Sequence, residues 1–534
     1  MSIYDGLTQA IAKTLALIAP GMAARYLAQH QLIKRAYSAA KTTGSNQMWR
    51  PSTKSATDEI VTAWRRTTDR ARDLDRNNPL VSGALRRFVG GIVGEGMWPK
   101  SKVIAADGAV DQKLAMDIEN RWEAWQEKAG ADGSQFVDIQ RLVARHFILD
   151  GEALVHRVRK APLQLEVLEC DYLDSGKDGK LQNGNTIKGG IERNRFGLPV
   201  AYWLYQAHPA EELTSSVRVS ADDVLHIYDK QRAGQGRGIS HFAPIIGDLF
   251  DTLEYQDATL TLARVATAYG IFVRSPNPED WQPSAAQKAE LGNAEDSETT
   301  LQYVIPGGIH YLRPGEEVQT VKAEQPGGVY AEFVRSRLRS ASSGTGMSYE
   351  TFSNDYSQVS YSSARQAMIQ ERQMMRQMSG LLDRLLNIPV YRWFIDVEYR
   401  TNGLRLAGYD RDPRKFWRVQ FSRPRQEWID PMKEASAAET RLSIGLETLT
   451  SLAESEGNDI DDVFSTRAAE VARMKELGIF QLDAHAEQFS SQSQSVTSFT
   501  STSTAVTEDA ADDSSEAEEQ AEMDLTQEAS NASE

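Results

Sequence analysis

Hydrophobic and polar positions alternate along the chain in blocks of helical and then strand-like spacing. Helical spacing of apolar residues over 58–90, 114–125 and 139–150 predicts amphipathic helices. Strand-like runs follow up to about residue 230, and Asp178-Gly179 and Asn183-Gly184 supply turn signals between them. Because these runs do not alternate regularly with helices, we predict an α+β fold and not a doubly wound nucleotide-binding sheet. The predicted strands are 153–158, 163–168, 190–192, 201–205 and 224–228.

Long helices dominate the second half of the chain. The apolar spacing over 242–269 predicts a helix that spans about 40 Å at 1.5 Å per residue. The block 391–421 is aromatic and basic, and we interpret it as strands that return to the first α+β region. The other predicted elements are strands 301–306 and 309–312 in a Pro-rich insertion and helices 329–343, 361–386, 431–456 and 459–478.

Length and charge indicate several domains and an acidic tail. A chain of 534 residues exceeds the roughly 250–300 residues at which single cores stop growing. Residues 486–534 contain twelve acidic residues and no basic ones, so this tail accounts for −12 of the net charge of −16 and the remaining residues sum to −4. The tail also lacks the apolar content needed to fold, and we expect it to be disordered. A nearly neutral body argues against a tight DNA-binding protein but not against a passive conduit.

Cysteine usage and hydropathy exclude two further classes of protein. Cys170 is the one cysteine in the chain, which excludes an intrachain disulfide framework and fits a reducing compartment. No stretch approaches the roughly 18 uncharged apolar residues of a membrane span, so no membrane association is predicted. The segment 7–17 lacks a basic leader and is a poor signal peptide.

The motifs of common catalytic sites do not occur in the sequence. There is no phosphate-binding P-loop, and Gly234-Gln235-Gly236-Arg237-Gly238 departs from the dinucleotide-binding fingerprint in its spacing. The eight histidines never fall at metal-ligand spacing, and no Gly-x-Ser-x-Gly elbow is present. We therefore predict no catalytic, cofactor-binding or metal site.

The most informative stretch is 346–360, which we call the Tyr/Ser segment. It combines a glycine break with small or planar hydrogen-bonding side chains of almost no net charge, and a long helix follows it. Such a surface can contact a polyanion without binding it tightly. The candidate contact residues in and directly after this segment are Ser348, Tyr349, Asn354, Tyr356, Ser357, Ser360 and Tyr361.

Arginines in the helices on both sides of the Tyr/Ser segment leave two interpretations open. They could face DNA or take part in contacts between subunits, but acidic neighbours at i, i+3 or i+4 spacing could equally pair with them on a solvated helix surface. The residues concerned are Arg335, Arg339, Arg365 and Arg372.

The sequence from Asp58 to Gly478 resembles the lambda-like family of phage portal proteins, the head–tail connectors of phage heads. The most specific match is Gly346-Met347-Ser348-Tyr349-Glu350 followed by the run from Asn354 to Arg365. The resemblance implies a portal fold with the Tyr/Ser segment as the tunnel loop of a DNA channel. The implied parts are a flexible N-terminal arm (1–50), wing (51–240), stem helix (242–270), clip (271–325), second stem helix (326–345), tunnel loop and tunnel helix (346–388), wing return (389–429), helical crown (430–485) and acidic tail (486–534).

The resemblance also implies partners and a location. The chain would form a homo-oligomeric ring, typically of twelve copies, at one capsid vertex of the virion after assembly in the host cytoplasm. Double-stranded DNA would pass through the ring, and the large terminase subunit, major capsid and scaffold proteins and head-completion or tail connector proteins would contact it. The implied role is structural and not enzymatic. Two alternatives stay open: a minor capsid or adaptor protein without a channel, and a capsid-associated hydrolase.

Overall fold

A computed structural model describes residues 51–479 with several gaps, together with residues 13, 14, 19 and 22. The gaps are 106–107, 109, 159–161, 213–214, 268–270, 275–308, 313–328 and 425–429. The predicted arm, most of the predicted clip, strand 301–306 and the acidic tail therefore lie outside the described residues. The chain forms two compact units, residues 1–435 and residues 436–534.

From residue 51 onward, the described part of the first unit begins with four helices: α1 (Ala56–Asn77), α2 (Pro79–Ile92), α3 (Gln112–Gln126) and α4 (Phe136–Leu149). The break between α1 and α2 lies at Asn78, where Asn77-Asn78-Pro79 is a helix-start signal in the sequence. The Asn78 side chain accepts hydrogen bonds from the backbone N–H groups of Leu80 and Val81, and Pro79 occupies the first turn of α2. Both features favour a new helix start, since proline needs no N–H partner there.

The strands form small sheets that are mostly antiparallel. The three-stranded sheet has the order β3 (Gln164–Leu168), β2 (Glu152–Val158), β9 (Val224–Tyr228), and Leu154 of β2 pairs with Leu168 on one side and His226 on the other. The five-stranded sheet runs in chain order through β4 (Gly179–Lys180), β5 (Thr186–Lys188), β6 (Ile191–Arg193), β7 (Pro199–Leu204) and β8 (Val217–Ser220). β1 (Pro99–Ser101) pairs with β12 (Val419–Phe421), and β10 (Ile271–Arg274) runs parallel to β11 (Ile309–Leu312). The predicted mixture of helix and sheet is confirmed.

An ion network lies buried beneath the three-stranded sheet. The Glu152 carboxylate accepts hydrogen bonds from Arg237 Nε at 2.7 Å and from the backbone N–H of Gly238 at 2.8 Å, and His226 Nε2 lies 2.9 Å from it. Burial by itself would raise the pKa of Glu152, but Arg237 and His226 outweigh it and lower this pKa to about 2. The glycine-rich loop that failed the nucleotide-binding pattern therefore delivers an arginine to a buried acid.

Gly238 is required where this loop meets strand β2. A Cβ atom at Gly238 would lie 2.0 Å from the carbonyl oxygen of Gly151, so only glycine permits the approach.

Two antiparallel helices follow, α5 (Ile246–Thr267) and α6 (Val329–Thr345). Arg337 contacts Asp248 at 3.1 Å near one end of the pair, and Tyr255 stacks on Tyr330 with ring centroids 5.7 Å apart further along. The helix predicted over 242–269 is confirmed with a later start, and the one over 329–343 extends by two residues.

The block 391–421, predicted as strands that return to the first α+β region, supplies one such strand, β12, which pairs with β1, while residues 391–401 are helical. A five-residue helix, α7 (Tyr349–Ser353), precedes α8 (Tyr361–Leu382), which continues through a π-helical turn at Asp383–Asn387 into α9 (Ile388–Thr401). Within 391–421 β12 is the one strand of the described structure. The widened turn lies just before Pro389, whose ring cannot fit a regular α-helical ladder.

An aromatic cluster explains why residues 391–401 form a helix and not a strand. The Trp122 ring of α3 packs edge to face against Phe394 and Phe136, with ring centroids 5.1 Å and 5.2 Å apart. Tyr391, Phe394, Ile395 and Glu398 are the buried positions of α9 toward its C-terminal end, at helical spacing. Tyr391 and Phe394 are therefore core positions of a helix, because aromatic enrichment reports burial as much as strand structure.

The second unit contains most of the last three helices of the described residues: α10 (Pro431–Ser443), which begins at the end of the first unit, α11 (Leu449–Ser455) and α12 (Ile460–Glu476). The helix predicted over 431–456 is interrupted at Gly445, whose φ of +72° is in the left-handed region. Within the described part of this unit, several apolar side chains are largely exposed, among them Leu446 and Phe464.

Candidate nucleic-acid contact site

The Tyr/Ser segment is more ordered than a plain loop. Gly346, with φ +76°, ends the preceding helix α6, and the Ser348 hydroxyl accepts the backbone N–H of Thr351 at 3.1 Å to begin α7. Asn354 ends α7 in the left-handed conformation with φ 60°. Glycine and asparagine are the residue types that adopt this conformation most readily. Local sequence chemistry therefore defines both ends of a single helical turn inside the predicted loop.

The structure divides the seven candidate residues into two groups. Ser348, Tyr349 and Asn354 are engaged in bonds within the protein, the first as the cap of α7. By contrast, Tyr356 and Tyr361 are 54% and 61% exposed. Ser357 and Ser360 are exposed as well. Asn354 is exposed too, although Arg87 of α2 binds its amide oxygen, so the exposed candidates lie within 354–361.

Asp355 organises the boundary between these two groups. Its carboxylate accepts the Ser357 hydroxyl at 2.6 Å, the Ser357 backbone N–H at 3.1 Å and the Tyr349 hydroxyl at 2.9 Å. The hydrogen bonds from Ser357, followed by that from Tyr349, lower the pKa of Asp355 to about 2. Sequence reasoning missed this residue, although Asp-x-Ser is a common signal for a side chain that closes its own turn.

A hydroxyl cluster begins helix α8 directly after the exposed residues. Ser360 Oγ accepts the backbone N–H of Ser363 at 3.3 Å and lies 2.7 Å from Ser363 Oγ. These groups complete the start of α8 without adding charge. Together with the two exposed tyrosines they form an uncharged hydrogen-bonding surface, which suits weak contacts to phosphate or to base faces.

The four candidate arginines lie on the helices that flank the Tyr/Ser segment. Arg339 of α6 places its guanidinium carbon 5.3 Å from the centroid of the Tyr349 ring, and Arg335 is close enough to contribute to the low pKa of Asp355. Arg365 and Arg372 are half-buried on α8. For Arg335 and Arg339 these contacts favour a role in supporting the segment.

Two further residues contact the segment and were missed from the sequence. Arg87 of α2 donates hydrogen bonds to Thr351 and Asn354, although it lies 264 positions before Thr351 in the chain. Glu371 of α8 accepts from Ser348 and Thr351. No local pattern marks either residue, because both contacts arise only when α2 and α8 fold against the segment.

One cluster of potential metal ligands appears in the described residues at a distance from this segment. Ligand atoms of Glu169, Asp171 and His208 lie within 4.8 Å of one another. Arg72, however, contacts Asp171 at 2.7 Å and Glu169 at 3.4 Å, and Arg65 contacts Asp171 at 3.1 Å. Arginines already neutralise both carboxylates, so the arrangement is an ion-pair network.

Every helix in the described part of the chain is too short or too polar to cross a lipid bilayer.

Comparison with known proteins supports the resemblance to phage portal proteins. Three curated relatives are similar over most of their length. A probable portal protein of Halomonas phage phiHAP-1 is 24% identical and covers 84% of this chain and 88% of its own. The portal protein of Escherichia phage N15 and portal protein B of Escherichia phage lambda are each 22% identical, over 82% of this chain and 89% of theirs.

Structures of gene transfer agent particles have weak similarity to the chain. Neck structures of the empty and native particles align with TM-scores of 0.34 and 0.35 at 11% identity, over 79% of this chain and 98% and 97% of theirs. The family model described as "Phage portal protein, lambda family" matches residues 42–378, more than half of the sequence and the whole Tyr/Ser segment. The chain therefore belongs to the lambda family of phage portal proteins.

Proposed function

We propose that twelve copies of this chain form a ring at one capsid vertex of the virion, and that double-stranded DNA passes through the ring during packaging and ejection. Membership of the portal family supports this role. The role is structural: the large terminase subunit supplies the packaging motor, and scaffold, major capsid, head-completion and tail connector proteins are the other partners. The predicted clip, 271–325, is the proposed docking surface for terminase.

The observation that carries the proposal is the exposed, uncharged part of the Tyr/Ser segment. Tyr356 and Tyr361 project from the protein, and the hydroxyl groups of Ser357 and Ser360 lie between them in sequence. In the ring, these side chains from each copy would project toward the channel axis. Contacts to phosphate carry no sequence information, which a channel for a whole genome requires. Strong cationic contacts would instead slow the moving duplex.

The double variant Tyr356→Ala/Tyr361→Ala tests this proposal. Alanine removes the rings and hydroxyls, and we expect normal ring assembly with reduced packaging or retention of DNA, measured as nuclease-protected DNA in filled heads. Tyr356→Phe/Tyr361→Phe is the matched control, since it keeps the rings and removes only the hydroxyls. Heads that fill and hold DNA normally with the alanine variant would contradict the proposed role of the segment.

A further inference from the structure

The short helix α7 inside the Tyr/Ser segment is held at both ends by charged side chains from other helices. Near its C-terminal end, Arg87 of α2 donates through Nη1 to the carbonyl oxygen of Thr351 and through Nη2 to Oδ1 of Asn354, the latter at 3.1 Å. At its N-terminal end, Glu371 of α8 accepts the backbone N–H of Ser348 at 2.6 Å and the hydroxyl of Thr351 at 3.1 Å. The cation and the anion also match the partial charges of the helix ends they contact.

The contact with Arg87 coincides with a strained backbone position. Asn354 is the one non-glycine residue with positive φ in the described part of the chain. The left-handed conformation is unfavourable for an ordinary residue and less so for asparagine, because its short side chain can bond locally. Here Arg87 binds that side chain. The same guanidinium thus stabilises the left-handed turn and the preceding carbonyl group, and this turn directs the chain toward Tyr356.

The two helices that carry these side chains are themselves joined. Ser379 of α8 donates its hydroxyl to the carbonyl oxygen of Ile92 of α2 at 2.7 Å, and both groups are buried. A Cβ atom at Gly91 of α2 would lie 2.9 Å from the side chain of Met375, which shows how closely the helices approach. Arg87 and Glu371 therefore extend from a common, well-packed base.

We propose that Arg87 and Glu371 are positioning residues that fix the exposed part of the Tyr/Ser segment relative to the body of each subunit. This inference rests on the proposed function, because it assigns these residues to the control of the DNA contact. Neither needs to touch DNA. Each acts through α7. Residues 356–361 therefore keep a fixed position relative to the body of the subunit instead of moving as part of a flexible loop.

Hydrogen exchange on the assembled full-length ring tests the inference directly. We expect Arg87→Gln and Glu371→Gln each to accelerate amide exchange over 349–358 by about tenfold, because each removes charge-assisted hydrogen bonds that oppose local opening. Arg87→Lys should restore only part of the protection, since lysine lacks the forked donor geometry. Both glutamine variants should also reduce the nuclease-protected DNA in filled heads.

Two control variants, Arg86→Gln and Glu350→Gln, and one further test variant, Asn354→Gly, separate positioning from general damage. Arg86→Gln changes the neighbouring arginine, which bonds Ser82 of its own helix, and should leave exchange unchanged. Glu350→Gln removes a carboxylate from α7 itself and leaves both Glu371 contacts in place. Asn354→Gly keeps the left-handed turn accessible and removes the amide that Arg87 binds, so it tests the contact even where Arg87→Gln fails to fold.

The outcomes distinguish this inference from the proposed function. Unchanged exchange over 349–358 in Arg87→Gln, Glu371→Gln and Asn354→Gly would overturn the positioning role. Faster exchange with normal packaging would also overturn it, provided that Tyr356→Ala/Tyr361→Ala impairs packaging. If the tyrosine variant packages normally as well, the proposed function fails, while the faster exchange still supports the anchoring of α7.

Discussion

Charge is placed in opposite ways in two regions of this portal protein. Beneath the three-stranded sheet, Glu152 and Arg237 are fully buried and bonded to each other, with His226 beside them. In the Tyr/Ser segment the exposed residues 356–361 are uncharged. The charged groups that bind the segment, Arg87 and Glu371, belong to the neighbouring helices α2 and α8. Ionic contacts are thus used where the protein must hold its shape, and weak hydrogen-bonding groups are used where we propose that DNA moves.

Because the two regions differ in burial, mutations in them should differ in their effect on the free energy of unfolding. An ion pair without access to water is expensive to break, because removal of one partner leaves the other charge unpaired and desolvated. An exposed side chain contributes little to the free energy of unfolding, so it can be changed to suit the passage of DNA. Three predictions test this contrast, beginning with the largest effect.

Breaking the buried pair should give the largest loss of stability. We expect Arg237→Met or Glu152→Gln to lower the free energy of unfolding by about 3–5 kcal/mol, measured by urea denaturation with tryptophan fluorescence. Trp64 is a suitable reporter, since Arg237 lies 4.7 Å above its ring. Glu166→Gln removes a half-exposed carboxylate next to His156 and should change the stability by less than about 0.5 kcal/mol. Equal effects from the two glutamate variants would contradict the contrast.

Acid should weaken the buried pair within a definite pH range. The folded pKa of Glu152, about 2, lies below the ordinary value of 4.5, so the folded protein binds fewer protons than the unfolded chain between these values. The stabilisation from Glu152 is therefore complete above about pH 4.5 and is lost as the pH falls toward 2. We expect urea midpoints to decrease over this range, and to decrease less steeply in Arg237→Met, which no longer holds the carboxylate ionised. The same slope in both proteins would show that other groups dominate.

The smallest of the three effects concerns the start of the Tyr/Ser segment. Gly346→Ala places a Cβ on a residue with φ +76° and 2.7 Å from the sulfur of Met374, and we expect a loss of about 1–2 kcal/mol. Gly90→Ala is the matched control, because a Cβ there meets no atom within 4 Å and the residue lies in helix α2. Thermal denaturation of the two variants provides the measurement. A stable Gly346→Ala protein would mean that the segment tolerates another backbone path.

Element types with strong local signals were predictable, and those that depend on partners were not. The long helices α5 and α8 follow from apolar spacing, and Asn78-Pro79 marks the start of α2. By contrast, Tyr391 and Phe394 led to a strand interpretation, although they lie on the buried face of α9. Aromatic residues are compatible with either element, and contact with Trp122 of α3 determines which one forms.

The candidate site shows the same division. Its position and its polar, uncharged character were readable from 346–360, and so was the family to which the chain belongs. The separation into an anchored half and an exposed half was not, because it depends on bonds from Arg87 and Asp355. For Arg365 and Arg372 the two interpretations stay open: a role toward DNA or a neighbouring subunit, and a place on a solvated helix surface.

The sequence by itself determined most of the long helices, the helix start at Asn78-Pro79, the glycine break at Gly346 and the Tyr/Ser chemistry of the segment, because these depend on neighbours within a few residues. Tertiary structure decided which arginine binds the buried Glu152, which aromatic residues form the core, and which side chains hold α7. Each of these is a contact between residues far apart in the chain, and its free energy exists only when several elements are packed together.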